Sequence, residues 1–258
     1  MVLVTDLFER TWPTSTAKGA VVIVHGLAEH SGRYDYVAQS LNKAGYAVYA
    51  QDARGHGRSI GFPGDMGGDP ARVVQDVVEF CVRVHGEHDA TFLLGHSMGT
   101  LFAVSAVAQM PVGTLKGLVL SGTVAEPGPA SQELIEKGRV PPESVSRDPE
   151  IVQAYADDPL VFEKTPPELM ALAGEVTAKY FEAIPLITIP VLLVHGEDDL
   201  LTAVGGARMV HTQLVTTDKT LIEYPGLYHE VFNEPEKDKV IADVVSWLDD
   251  HVAADAPS

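Results

Sequence analysis

The stretch "LLGHSMGTLFAV", residues 93–104, sets Ser97 between Gly95 and Gly99, directly after an apolar run and directly before a helical pattern. A lone serine carries little information, but this setting carries a good deal. Phe92, Leu93 and Leu94 read as a short strand, and Leu101, Phe102, Val104, Ser105 and Ala108 recur at helical spacing. Between strand and helix the glycines permit a tight, strained turn that lifts the hydroxyl away from the backbone at the carboxyl edge of a sheet. The N-terminus of the following helix adds amide dipoles that favour developing negative charge. The spacing makes Ser97 a candidate nucleophile.

Working outward, short apolar runs at 21–24, 46–50, 92–94, 118–120, 191–194 and 221–224 alternate with helical patterns at about 34–44, 70–85, 98–109, 203–213 and 234–251. Most runs lack strict alternation, as expected of strands buried on both faces of a parallel sheet. Asp69 followed by Pro70 predicts a helix start, with an N-cap and then proline at the first helical position. The pattern predicts an α/β fold with a mostly parallel, doubly wound sheet. The rhythm breaks over 123–186, too long for a simple crossover. That stretch has its own helix signals: Asp148–Pro149 before Ile151, Val152 and Tyr155, and Thr165-Pro-Pro-Glu168, read as a capping box, before Leu169, Leu172, Ala173, Val176 and Tyr180. The expected organisation is a core of 1–122 and 187–258 with an inserted subdomain at 123–186. The stripe from Leu169 to Tyr180 is expected to line a tunnel for an apolar chain.

With 258 residues, 45% of them hydrophobic, the chain suits one such domain. Lys and Arg number 18 against 36 Asp and Glu, a formal charge of −18. That balance repels phosphate backbones and anionic membrane surfaces, so no nucleic-acid partner is expected. The start, "MVLVTDLFER", meets Asp6 too early for a signal-peptide core, and no run reaches membrane-spanning length, which predicts a cytoplasmic protein. The single cysteine, Cys81, sits among valines at helical spacing and reads as a core thiol. No cofactor motif appears, and His85 and His88 lack a third metal ligand.

A serine hydroxyl needs a base to take its proton. Where such an elbow tops a doubly wound sheet, acid and then histidine follow the serine on later loops. Of the histidines beyond Ser97, His195 ends the strand that should carry the acid, while His211 and His251 fall in helical patterns. His229 remains, in "IEYPGLYHEVFNE", between a strand and a helix. The acid belongs in "VLLVHGEDDLLTA", where spacing alone leaves Asp198 and Asp199 open. Two amides should form an oxyanion hole: Met98, after the serine, and Leu27, from the loop that follows the early strand.

With these residues placed, the chain resembles the monoacylglycerol lipase and lysophospholipase branch of the α/β-hydrolase superfamily, in particular its actinobacterial monoacylglycerol lipases. The stretches that carry the likeness are "VVIVHGLAEHSGRYDYVA", "YAVYAQDARGHGRS", "LLGHSMG", "SRDPEIVQAYADDPLV", "PVLLVHGEDDLLT" and "YPGLYHEVFNEPE". The resemblance implies an α/β-hydrolase fold with a cap and a cofactor-free serine hydrolase that cleaves monoacylglycerols or related esters. It selects Asp199 as the acid, sets Tyr155 of the cap at the glycerol end of the substrate, and makes Glu29 and Arg33 a brace for the oxyanion loop. The chain departs from the family in three ways. Thr100 follows Gly99 where a second glycine is usual, and the N-terminus is short. The third is "TVAEPGPASQELIEKGRVPPES", polar and proline-rich where the family carries an apolar, lipid-facing helix, which predicts weak or transient membrane contact at most.

Overall fold

The apolar runs pair into one sheet because residues buried on both faces need a helix layer on each side. A computed structural model describes residues 7–253. The reading of the extreme N-terminus as lacking a leader falls on residues 1–6, outside those described. Among the described residues the strands are β1 (Glu9–Trp12), β2 (Gly19–Val24), β3 (Tyr46–Gln51), β4 (Thr91–His96), β5 (Gly117–Ser121), β6 (Val191–Gly196) and β7 (Lys219–Tyr224). Their order across the sheet is β1-β3-β2-β4-β5-β6-β7, with β1 antiparallel to β3 and every other pairing parallel. This is the α/β-hydrolase arrangement the alternation and the resemblance predict. Strand β1 was absent from the sequence reading of apolar runs: its four residues alternate only partly buried positions at a sheet edge.

Alternation along the strands sorts the core into two layers. Val21, Ile23, Phe92, Leu94, Val119, Leu192 and Val194 face α1 (Asp35–Lys43) and α8 (Lys237–Ala253). Ala20, Val22, Leu93, Leu118, Leu120 and Leu193 face the other way, toward α2 (Pro70–His85), α3 (Met98–Val107) and α7 (Val204–Gln213). Each large apolar side chain so buried contributes about 1.5–3 kcal/mol. Asp69 caps α2 as expected, accepting from the Ala71 N–H at 2.9 Å. Cys81 is buried in the second layer, and burial pushes its thiol pKa up.

Between β5 and β6 lie α4 (Ser131–Lys137), α5 (Pro149–Asp157) and α6 (Pro167–Ala183). Asp148 caps α5 through the Glu150 N–H at 2.9 Å. The capping box expected at α6 does not form. Pro166 takes the cap position with no side-chain bond, and the Thr165 hydroxyl is buried without a hydrogen-bond partner. Two prolines in succession start the helix through their fixed φ instead. The stripe Leu169, Leu172, Val176 and Tyr180 is buried, but it belongs to the core cluster shared with α3 rather than to a tunnel. The strongest apolar stripe of a helix goes to its tightest neighbour, and here that neighbour is α3. Helix α4 has no counterpart in the sequence reading; none of its seven residues is buried.

Candidate active site

Ser97 sits where β4 ends and α3 begins, with φ 51° and ψ −123°, a conformation that L residues rarely adopt. The strain is held by close packing. A Cβ on Gly95 would lie 2.7 Å from the Gly99 carbonyl, and one on Gly99 would run into the Val24 carbonyl of β2. Thr100, the departure from the family pattern, is fully buried and turns its hydroxyl back to the Ser97 carbonyl at 2.7 Å. The extra side chain is thereby absorbed inside the first turn.

Strand β6 delivers the carboxylates. Glu197 and Asp198 are exposed, whereas Asp199 is buried. Asp199 Oδ1 accepts the backbone N–H groups of Leu201 (2.8 Å) and Thr202 (2.9 Å). Its Oδ2 accepts the Thr202 hydroxyl at 2.9 Å and His229 Nδ1–H at 2.8 Å. Burial alone would raise the Asp199 pKa, but His229 and His195 hold it well below the usual carboxylate range. His229, on the loop after β7, is buried too. Burial lowers its pKa, yet Asp199 and the nearby Glu230 and Glu29 outweigh that and leave it above its ordinary value. Nδ1 is committed to the carboxylate, so Nε2 is the nitrogen left for chemistry.

Ser97, His229, Leu27, Met98 and Tyr155 line one cavity of about 430 Å³. The Ser97 hydroxyl makes no hydrogen bond to His229 among the described residues. Met98 opens α3, so its amide has no partner within the helix. Leu27 precedes Ala28, whose φ of 65° marks a second strained turn. Glu29 anchors that loop: its Oε1 accepts the Gly26 N–H at 2.6 Å and the Tyr34 hydroxyl at 2.7 Å. Arg33 reaches Glu29 at 3.0 Å and grips Glu230, beside His229, at 2.6 and 2.8 Å. Burial favours the neutral acid at Glu29, but Arg33, His96 and His25 hold its pKa down to about 2. Arg33 also lies under the Tyr155 ring, 4.6 Å from its centre. Burial, reinforced by His229, pulls His96 down to about 4, and its Nδ1 meets the Ser121 hydroxyl at 3.1 Å.

The geometry thus gathers the serine, the histidine and both amide-bearing residues around one space, and it separates Asp199 from Asp198. Sequence reasoning missed Thr202, Glu230 and the roof of the cavity. That roof is Met170, Ala173, Gly174 and Thr177 on one flank of α6, with Leu134 and Ile135 of α4. Thr202 could have been suspected from its place three residues after Asp199, where a hydroxyl can close a turn. On the flank of α6 only Ala173 falls in the apolar pattern read from the sequence.

The family model Hydrolase_4, described as serine aminopeptidase, S33, matches residues 15–236, and the chain belongs to that family. It is 36% identical to the monoacylglycerol lipase of Mycolicibacterium smegmatis, over 93% of this chain and 91% of that protein. With the mouse (Mus musculus) monoglyceride lipase it shares 31% identity, over 96% of this chain and 88% of the other. The crystal structure of the Paleococcus ferrophilus monoacylglycerol lipase superposes with a TM-score of 0.84 at 30% identity, covering 95% of this chain and 99% of that one. The resemblance to the monoacylglycerol lipase branch read from the motifs holds, and the protein is a carboxylic-ester hydrolase.

Proposed function

We propose that this Hydrolase_4 member cleaves monoacylglycerols to glycerol and fatty acid through an acyl-enzyme on Ser97. The observation that carries the reading is the buried Asp199–His229 contact of 2.8 Å opening onto the same cavity as the strained Ser97. His229 Nε2 takes the Ser97 proton as the hydroxyl attacks the ester carbonyl, and Asp199 stabilises the imidazolium that forms. The Leu27 and Met98 amides receive the negative charge of the tetrahedral oxygen. His229 then protonates the departing glycerol oxygen, and water repeats the sequence on the acyl-enzyme. Residues 123–186 act as the cap, with Tyr155 at the glycerol end and the α6 flank along the acyl chain.

A neutral monoester fits this cavity better than a phosphate-bearing lysophospholipid, because the charged residues that line it are Glu29, Glu126 and Glu230. A carboxylesterase for shorter, more soluble esters is the second reading, favoured by the polar face of α4, where Gln132, Glu133, Glu136 and Lys137 lie. Membrane contact is weak at most on either reading; among the described residues no helix is long and apolar enough to cross a membrane. The test is Ser97→Ala with a fluorophosphonate probe. The parent is labelled and active on monoacylglycerol; the variant is unlabelled, loses kcat by about 10⁴-fold or more and unfolds at the parent temperature. Labelling elsewhere with activity retained would remove Ser97 from its role. Parallel rates on lysophospholipid and short esters separate the two readings.

A further inference from the structure

His195, the penultimate residue of β6, stands four residues before Asp199, and no step above uses it. Its side chain is fully buried. Nε2 stands 2.8 Å from the Thr202 carbonyl oxygen. A carbonyl only accepts, so Nε2 carries a proton. Nδ1 has no hydrogen-bond partner among the described residues. The same Nε2 is 3.2 Å from Asp199 Oδ2, the oxygen that also meets His229 Nδ1 at 2.8 Å. One carboxylate oxygen therefore lies within reach of nitrogens from two imidazoles. Thr202 ties them together: it accepts from His195 and gives its own N–H and hydroxyl to the two Asp199 oxygens.

We infer that His195 is a positioning residue for the Asp199–His229 pair: its one Nε2–H holds the Thr202 carbonyl, with Oδ2 3.2 Å from the same nitrogen, so that the Thr202 N–H and hydroxyl keep the carboxylate in the rotamer that aims His229 at Ser97. Carboxylate torsions are broad and two-fold, so without such restraint the acid would sample orientations that do not serve the imidazole. The inference rests on the reading of Asp199 as the acid. Around His195 the other charged groups are Glu223, its register partner on β7, and Arg208, which pairs with Glu223. Around His229 they are Glu230, Glu29 and His96.

The experiment compares His195→Leu, which removes the N–H, with His195→Gln, whose carboxamide nitrogen can stand where Nε2 does. Steady-state kinetics on a soluble monoester, pH profiles and thermal unfolding are read for each. In His195→Leu kcat falls roughly tenfold or more, the scale of one hydrogen bond near a charged group. KM changes little, and the acidic limb of kcat/KM moves to lower pH because the His229 imidazolium is less firmly held by its carboxylate. His195→Gln recovers most of the lost rate and returns the limb toward its parent position. Parent kcat and an unmoved limb in His195→Leu overturn the inference, whatever happens to its thermal stability, and so does a glutamine variant as slow as the leucine one. If His195→Leu does not fold, the comparison passes to His195→Gln against His195→Asn, whose amide reaches only the Nδ1 position: a slower asparagine variant supports the inference and equal rates overturn it. Asp199→Asn is measured alongside. Parent activity in that variant overturns the reading of the acid together with this inference, whereas an inactive Asp199→Asn beside an unaffected His195→Leu overturns the inference alone.

Discussion

The floor and the roof of the cavity are built on different physics. The floor is made of strand ends and the loops just beyond them. Its polar groups are buried and held by ion pairs and hydrogen bonds: Glu29 by Arg33, Arg33 by Glu230, and Asp199 by Thr202 and His229. The roof is made of helices. Its anchor is the apolar stripe of α6 on α3, supplemented where the chain before α5 meets the His229 loop. There Glu230 N–H donates to the Val145 carbonyl at 2.8 Å, the Ser146 hydroxyl to the Asn233 carbonyl at 3.0 Å, and Arg147 to the buried Glu234 at 2.8 Å. Helix α4 contributes no buried residue, and Ile135 is 66% exposed. On the proposed function, chemistry needs fixed angles and falls to the floor, whereas selection among acyl chains needs only apolar area, which the roof can supply and vary.

The largest expected effect would break the comparison if it failed. Asp199→Asn leaves His229 without its ion-pair partner, and kcat falls by about 10⁴-fold. Asp198→Asn, at an exposed neighbour, leaves kcat near the parent value. Equal, mild losses in the two variants would mean that burial on the floor does not identify the acid.

The pH dependence separates the same two regions less drastically. As the proposed base His229 must be neutral, and its pKa is raised, so the expected outcome is that kcat/KM climbs with pH along a limb centred above the ordinary histidine value. Stability follows the linked signs. The raised His229 contributes stability that is fully present below about pH 6.5 and lost as pH rises through its folded-state pKa. The depressed Asp199 contributes stability present above about pH 3.9 and lost as pH falls toward its folded-state value. Asp199→Asn removes the acid-side dependence and weakens that of His229, which keeps Glu230 and Glu29 nearby, whereas a roof substitution such as Ile135→Ser changes neither; unfolding curves across pH check this.

Substrate length probes the roof directly. Each CH₂ that enters the cavity contributes about 0.8 kcal/mol, so kcat/KM rises by about fourfold per carbon until the space is filled. Ile135→Ser lowers that slope for longer chains and leaves rates on short esters unchanged. A loss that is equal at every chain length would place Ile135 with the chemistry instead. The smallest effect is at Gly174, on the α6 flank, where an added Cβ meets nothing within 4 Å. Gly174→Ala stabilises the helix by about 0.5–1 kcal/mol and leaves the short-ester rate as it was, measured by denaturant unfolding beside a rate assay.

How much was legible differs along the same divide. Gly95-His96-Ser97-Met98-Gly99 announced a strand–turn–helix because close packing there tolerates only glycine, and such a demand leaves a mark in one dimension. The buried parallel strands were equally plain, since both of their faces are apolar. His229 followed from the order of elements. The roof was misread at α6: periodicity finds the stripe that packs most tightly, and that stripe went to α3, leaving the weakly patterned flank of Met170, Ala173, Gly174 and Thr177 to face the cavity. Helix α4 was missed because a seven-residue helix with nothing buried has no stripe to find.

Sequence by itself determined the α/β order and the position of the strained serine, because each depends on local sterics or on which residues avoid water. Only the tertiary structure decided which of two adjacent aspartates is buried against His229. It alone brought His195 and Thr202 onto that carboxylate, and it alone joined Glu29 and Glu230 through Arg33. The Arg33–Glu230 and Asp199–His229 contacts join segments far apart in the chain and depend on the register and twist of the whole sheet, whereas His195 and Thr202 lie within four residues of Asp199 and meet it because the turn after β6 folds the chain back on itself.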